Sequence, residues 1–198
     1  VQHFAHHLAP NGLAGFVMPN GALAVSGKEG ELRKKLIEED LVEVIISCPS
    51  KLFYNVSLPV SLWFLAKNKG GDRFRKRSGE TLFIDARDTF EQISRKQVVF
   101  NPEHIEKISN TVRAWRGEKD AGKYEDVSGF CKSASLEEIK KNGYVLTPGR
   151  YVGLADVEDD GISFEKKMEK LSSELRGAFE KGRELEKEIE KNLKELGF

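Results

Sequence analysis

The sequence predicts an α/β fold in which one strand of the sheet runs against its neighbours and a long helix closes the chain. Three features carry that expectation: two apolar runs, Leu41 to Cys48 and Val60 to Ala66, on either side of a polar loop; a strand-helix-strand spacing ahead of them; and a charged terminal segment with apolar residues at heptad intervals. Each has a physical reason.

The opening VQHFAHHLAP reads as an amphipathic helix, with Phe4 and Leu8 at i, i+4, and Pro10 and Gly12 end it. LAGFVMP, residues 13–19, is a short, nearly continuous apolar run of the kind a strand buried on both faces needs, and it stops at Pro19-Asn20-Gly21. In open α/β sheets ligands sit beyond the carboxyl ends of strands, so this corner is a candidate pocket wall. From Lys28 to Asp40, Leu32, Leu36 and Ile37 share one helical face, and the Val- and Ile-rich run from Leu41 ends before Pro49. Strand, helix, strand at this spacing is one crossover unit. Only about ten residues separate this strand from Val60 to Ala66, too few for a helical crossover, so the later strand is expected to return antiparallel.

TLFIDAR, residues 81–87, extends the sheet. Asn101-Pro102-Glu103 starts a helix, with Ile105, Ile108, Val112 and Trp115 at helical spacing. Gly117 to Ser135 reads as a long polar loop anchored by Tyr124 and Phe130, after which Ser135 caps a short helix with Glu138 completing a capping box. Residues 144–153 are extended and turn-rich, and Asp156 to Gly161 is an acidic hinge. The expected division is 1–155 for the sheet domain and 156–198 for the terminal helix. In that helix Met168, Leu171, Leu175, Leu185, Ile189 and Leu193 form a seam that needs a partner, interrupted by Gly177 and Gly182.

Composition narrows the function classes. Lys+Arg and Asp+Glu both number 32, so no global charge argues for nucleic acid, and any such surface is local. The local basic stretch is Lys67, Lys69, Arg73, Arg75, Lys76 and Arg77, read either as a solvated hairpin loop or as a set of DNA-phosphate contacts. Cys48 and Cys131 have neither zinc nor disulfide spacing, which points to a reduced, cytoplasmic setting. With no apolar run of about 18 residues and no charged-then-apolar leader, neither a membrane span nor a signal peptide is expected. The chain opens on Val1 inside a helical pattern, as a piece cut from a longer polypeptide would.

His3, His6 and His7 have a spacing that can bind metal on a helix, but no acidic or cysteine partner is near, and no metal site is expected. No G-x-G-x-x-G, Walker-type loop or nucleophile elbow appears, and Asn101-Pro102-Glu103 lacks the second proline and the aromatic of an Asn-Pro-Pro-aromatic motif. Phe53, beside Tyr54 and Asn55 in the loop after a core strand, is placed either to stack on a planar ligand or to anchor the loop.

The strings GLAGFVMPNGAL, LRKKLIEEDLVEVIISCPSKLFYNVSLPVSLWFLAKNK, TLFIDAR and YEDVSGFCKSASLEEIKKNGYVLTPGRYVG, taken in order, closely resemble the C-terminal half of the methylation subunit of type I restriction-modification systems, adenine-N6 DNA methyltransferases. The resemblance implies the C-terminal part of a Rossmann-like methyltransferase sheet with its last strand antiparallel. It implies S-adenosylmethionine as methyl donor in the whole enzyme, with the glycine motif and the catalytic Asn-Pro-Pro-aromatic motif upstream of Val1, so this chain alone is expected neither to bind the donor nor to catalyse. It further implies that Phe53 stacks on the flipped adenine, with Pro19 and Asn20 bordering the same pocket, and that the terminal helix docks on the specificity subunit. Partners would be that subunit, the restriction subunit and double-stranded DNA, with self-association through an exposed sheet edge also open. The competing expectation is a non-catalytic assembly or interaction module.

Overall fold

Chain order and apolar patterning give the elements of the computed structural model, which describes residues 1–71, 74–154 and 164–195. Arg73, the hinge Asp156 to Gly161 and Ser163 lie outside the described residues. Helix α1 (Gln2–His7) leads to strand β1 (Leu13–Pro19), a single 3-10 turn (Asn20–Leu23) and helix α2 (Lys28–Glu38). Strands β2 (Val42–Ser47), β3 (Val60–Ala66) and β4 (Glu80–Asp85) follow, then a hairpin of β5 (Glu91–Ser94) and β6 (Gln97–Val99). Helix α3 (Pro102–Arg116), strand β7 (Cys131–Ser135), helix α4 (Leu136–Lys141) and a 3-10 turn (Pro148–Arg150) complete this unit.

The main sheet has the order β1-β3-β2-β4-β7. β3 pairs antiparallel with β1 on one side and β2 on the other, so β1 and β2 run the same way without touching. The expected crossover unit is therefore present, but the returning strand is inserted between its two members. β4 extends the sheet parallel to β2, and β7 closes it antiparallel.

Helices cover both faces because the central strands are apolar on both. Ile45, Trp63, Leu65 and Phe83 point toward α2 and α4 with Leu36, Ile37 and Ile139. Val44, Ile46, Leu82 and Ile84 point the other way, toward Trp115 of α3. Gly15 of β1 lets the Phe64 ring of β3 lie against its backbone, since an added Cβ would fall 3.0 Å from the ring.

Two expectations are corrected. The stretch 117–135 is not loop throughout, because Cys131–Ser135 pairs with β4; its strand character is hidden by polar composition. The Ser135 cap is one-sided: its hydroxyl accepts from the Glu138 amide at 3.2 Å, while the Glu138 carboxylate takes Lys132 at 2.7 Å instead of returning to the cap. At α3 the capping is reciprocal, with Asn101 accepting from the His104 amide and the His104 ring facing the Asn101 amide.

The chain divides into two units, Val1–Asp156 and Val157–Phe198. The second carries helix α5 (Phe164–Glu195), 32 residues long.

Candidate functional site

β1 and β2 end at the same edge of the sheet, because Pro19 faces Val60 and Ser47 faces Ser61 across β3. The loop 48–59 spans that edge. It is tied to the corner after β1 by the Asn20 amide, which donates to the Pro59 carbonyl at 3.3 Å. The structure thus brings Pro19 and Asn20 to the end of the loop that carries Phe53. The Asn20 side-chain oxygen is buried there, and among the described residues nothing donates to it. An unmet buried acceptor costs about 1–3 kcal/mol, so a site that supplies a donor recovers that cost.

Within the loop, the Val56 amide donates to the Phe53 carbonyl at 3.1 Å, closing a turn with Tyr54 and Asn55 at its tip. Phe53 is 44% exposed and Tyr54 83%. Lys51 holds the left-handed region at φ 62, a costly conformation for a residue other than glycine. It also joins the loop to the β5–β6 hairpin: its carbonyl accepts from Val98 at 3.2 Å and its ammonium donates to the Arg95 carbonyl at 2.9 Å. A cleft of about 250 Å³ opens here, lined by Lys51, Tyr54, Asn55, Val56, Ser57 and Lys96. Tyr54 and the hairpin are the features that reading the sequence missed. Cys48 at the loop's start is fully buried, and burial pushes its thiol up to about 11, so it is no nucleophile at neutral pH.

The basic stretch is at the other end of β3. Ala66 faces Leu13, so Lys67 to Arg77 lies six strand residues from the Phe53 edge, roughly 20 Å. Neither the solvated loop nor a uniform phosphate patch describes it. Lys69 is 3% exposed and donates to Asp40 at 2.6 Å and to the Val42 and Glu80 carbonyls. Burial lowers its ammonium from the ordinary value, and the Asp40 contact opposes that fall. Arg77 is 1% exposed and pairs with the wholly buried Glu43 at 2.8 Å, which Arg116 also grips through both carboxylate oxygens. Arg75 takes both oxygens of Glu80, at 3.2 and 2.6 Å, and lies over the Trp115 ring. Lys67 is exposed and donates to the Leu8 carbonyl at 2.6 Å, and Lys76 is exposed. Lys69 and Arg77 are therefore removed from the phosphate set: each is enclosed by the fold it stabilises.

In α5, Met168, Leu171, Leu175, Leu185, Ile189 and Leu193 are 45–59% exposed, and Phe179, not anticipated in the seam, is 60% exposed. A Cβ at Gly177 or Gly182 would meet nothing within 4 Å. Among the described residues no group of three His, Cys, Asp or Glu side chains is placed to hold a metal; the His7 ring instead contacts the His3 carbonyl at 2.8 Å. No helix among them is long and apolar enough to cross a membrane.

The arrangement can therefore offer a planar ring a stacking partner at the carboxyl edge where such sheets bind ligands, with the buried, unmet Asn20 oxygen at the end of the same loop. Comparison with known proteins identifies the setting. The family model described as N-6 DNA Methylase matches residues 1–160. The chain is 50% identical over its full length to the type I restriction enzyme MjaIX methylase subunit of Methanocaldococcus jannaschii, and 46% identical to the HindI methylase subunit of Haemophilus influenzae. It spans only 34% and 43% of those two proteins. Among solved structures, the type I restriction-modification methyltransferase subunit of Streptococcus thermophilus superposes with a TM-score of 0.63 at 35% identity, over 77% of this chain and 29% of that one. The EcoKI M protein shares the fold, with a TM-score of 0.59 at 17% identity over 91% of this chain and 43% of that one. The chain belongs to the N-6 DNA methylase family, and within it resembles the methylase subunits of type I restriction enzymes.

Proposed function

We propose that this chain supplies the acceptor-base side of the pocket, and the subunit-docking helix, of a type I DNA methyltransferase that methylates adenine N6. One observation carries the reading: the exposed aromatic loop and the unmet Asn20 acceptor meet at the carboxyl edge of the sheet, linked through Pro59. An adenine within a duplex is out of reach of a methyl donor, so it is extruded and held by stacking. Phe53 provides that face, worth about 1–3 kcal/mol. Pro19 and Asn20 border the same pocket, and the Asn20 oxygen would accept from an amino group.

N-6 DNA methylases as a family use S-adenosylmethionine, which supplies the methyl group. The residues present do not fit a complete site for it. The turns leaving β1, β2 and β4 at their carboxyl ends carry Pro19-Asn20-Gly21, Cys48-Pro49 and Ala86-Arg87: a single glycine, Gly21, and no glycine-rich loop of the G-x-G-x-x-G kind between a strand and a helix to cradle the donor. On this reading donor binding and methyl transfer rest on chain outside these 198 residues, and the chain alone is inactive.

In a methylase carrying this chain, Phe53→Ala lowers the methylation rate more than specific DNA affinity. Equal losses in both would favour the loop-anchor role. The half-exposed α5 seam supports docking on a specificity subunit, through which a restriction subunit would also assemble. Removing Glu165 onward abolishes co-purification with the specificity subunit while circular dichroism still reports a folded sheet; retained association would refute the docking role.

A further inference from the structure

The exposed β5–β6 hairpin has no place in the base pocket as described, yet it is fastened to that pocket's loop. All four residues of β5 are exposed, and a lone hairpin is marginally stable in water. Two hydrogen bonds through Lys51 and the burial of Val98 hold it. This fastening sets the two-residue tip, Arg95 and Lys96, beside Lys51, with Lys96 lining the 250 Å³ cleft.

Lys51 and Lys96 thus line one cleft, and Arg95, whose carbonyl takes the Lys51 ammonium, comes from the same hairpin tip 44 residues along the chain from Lys51. Among the described residues none of the three forms an ion pair, whereas Lys69, Arg75 and Arg77 all do. The cleft adds the neutral donors Tyr54, Asn55 and Ser57. Cations not neutralised by a carboxylate, interleaved with hydroxyl and amide donors, are the means by which proteins grip phosphate and sugar without reading sequence. Lys51, which makes both contacts to the hairpin, is also the loop residue with a left-handed backbone.

We propose that Lys51, Arg95 and Lys96 form a phosphate-binding site for the backbone of duplex DNA, next to the extruded base. The hairpin, and not the basic stretch after β3, is then the local electrostatic footprint on DNA. This inference rests on the base-pocket reading for its choice of ligand.

The test follows binding of the 198-residue chain to a fluorescent 20-base-pair duplex by anisotropy as sodium chloride is raised. Each phosphate contact contributes about 0.9 to the slope of log affinity against log salt, so R95Q/K96Q lowers the slope by about 2. K67Q/K76Q, at the other end of β3, leaves it unchanged. An unchanged slope in R95Q/K96Q, an equal fall in K67Q/K76Q, or no salt-dependent binding of the parent chain overturns the site. A second duplex with an unpaired adenine separates the two readings. Preference for it that Phe53→Ala removes without altering the slope supports the base pocket. A slope that falls in R95Q/K96Q with no such preference leaves the phosphate site standing and the base pocket refuted.

Discussion

The loops at the two ends of β3 are alike in length and opposite in composition and in which side chains they expose. At the Phe53 end, aromatic and apolar side chains face solvent: Phe53, Tyr54, Val56 and Leu58 are 43–83% exposed. At the other end the charged side chains turn inward. Lys69 and Arg77 are enclosed, and their partners Asp40 and Glu43 come from the end of α2 and from an irregularity in β2. Burial is costly for any ion, and it is tolerated here because each is paired and further hydrogen-bonded. The contrast teaches that a charge-rich loop can be structural while an aromatic loop with few internal bonds stays available to a ligand.

The sharpest way to break this contrast is Glu43→Ala. It leaves Arg77 and Arg116 facing each other without their carboxylate, in a site where Glu43 is 0% exposed. Removing one partner of a buried pair costs about 3–5 kcal/mol, which urea unfolding would register as a large fall in midpoint. A loss below about 1 kcal/mol would mean the pair behaves as a surface one, and that the basic loop is free to serve DNA after all.

A smaller effect is expected at low pH from the same region. Two hydrogen bonds from Arg75 hold the Glu80 carboxyl below its ordinary value, against the opposing effect of burial. Between the depressed folded value and the unfolded value near 4.3 the unfolded chain binds more protons, so stability rises with pH there. The contribution is complete above that unfolded value and is lost as pH falls through the folded one. Because Arg75 and Glu80 are 37% and 35% exposed, the effect is modest. Comparing the parent with Glu80→Gln, the stability difference should shrink as pH drops from 5 to 3, and a constant difference would show that the pair contributes nothing titratable.

The same contrast explains what the sequence made legible. α2, β2 and β3 were readable because burial on one or both faces imposes apolar runs, and the antiparallel return of β3 followed from loop length alone. β1 was found as a strand, but the burial on both faces expected of it is corrected, since it is the edge strand of the sheet and alternate residues from Leu13 to Pro19 are exposed. The insertion of β3 between β1 and β2 was not legible, since strand order depends on contacts between distant runs. The β5–β6 hairpin escaped notice because Glu91 to Ser94 is exposed on both faces and its tip, Arg95-Lys96, lacks a turn glycine. Lys69 and Arg77 were misplaced because a charge in a sequence reads as exposure; Asp40 and Glu43, which neutralise them, lie 29 and 34 residues away. Phe53 stood out as a loop aromatic placed to stack or to anchor, the proposal that a target adenine is what it stacks on rests on the resemblance to adenine methyltransferases, and Tyr54 beside it drew no separate notice.

The smallest expected effect is the one that decides what the aromatic loop is for. If Phe53 and Tyr54 are held out for a ligand, the free protein gains little from them. Tyr54→Ala should then change unfolding free energy by no more than about 0.5 kcal/mol, the range for surface substitutions. Phe53→Ala should do little more, since nearly half of the side chain is already in water. A loop anchor behaves otherwise: burying a Phe side chain stabilises by about 1.5–3 kcal/mol, and truncating it loosens the turn that Val56 closes on the Phe53 carbonyl. A Phe53→Ala loss above about 1.5 kcal/mol, with Tyr54→Ala neutral, would therefore assign Phe53 to the fold and leave Tyr54, at the mouth of the cleft, as the remaining stacking face.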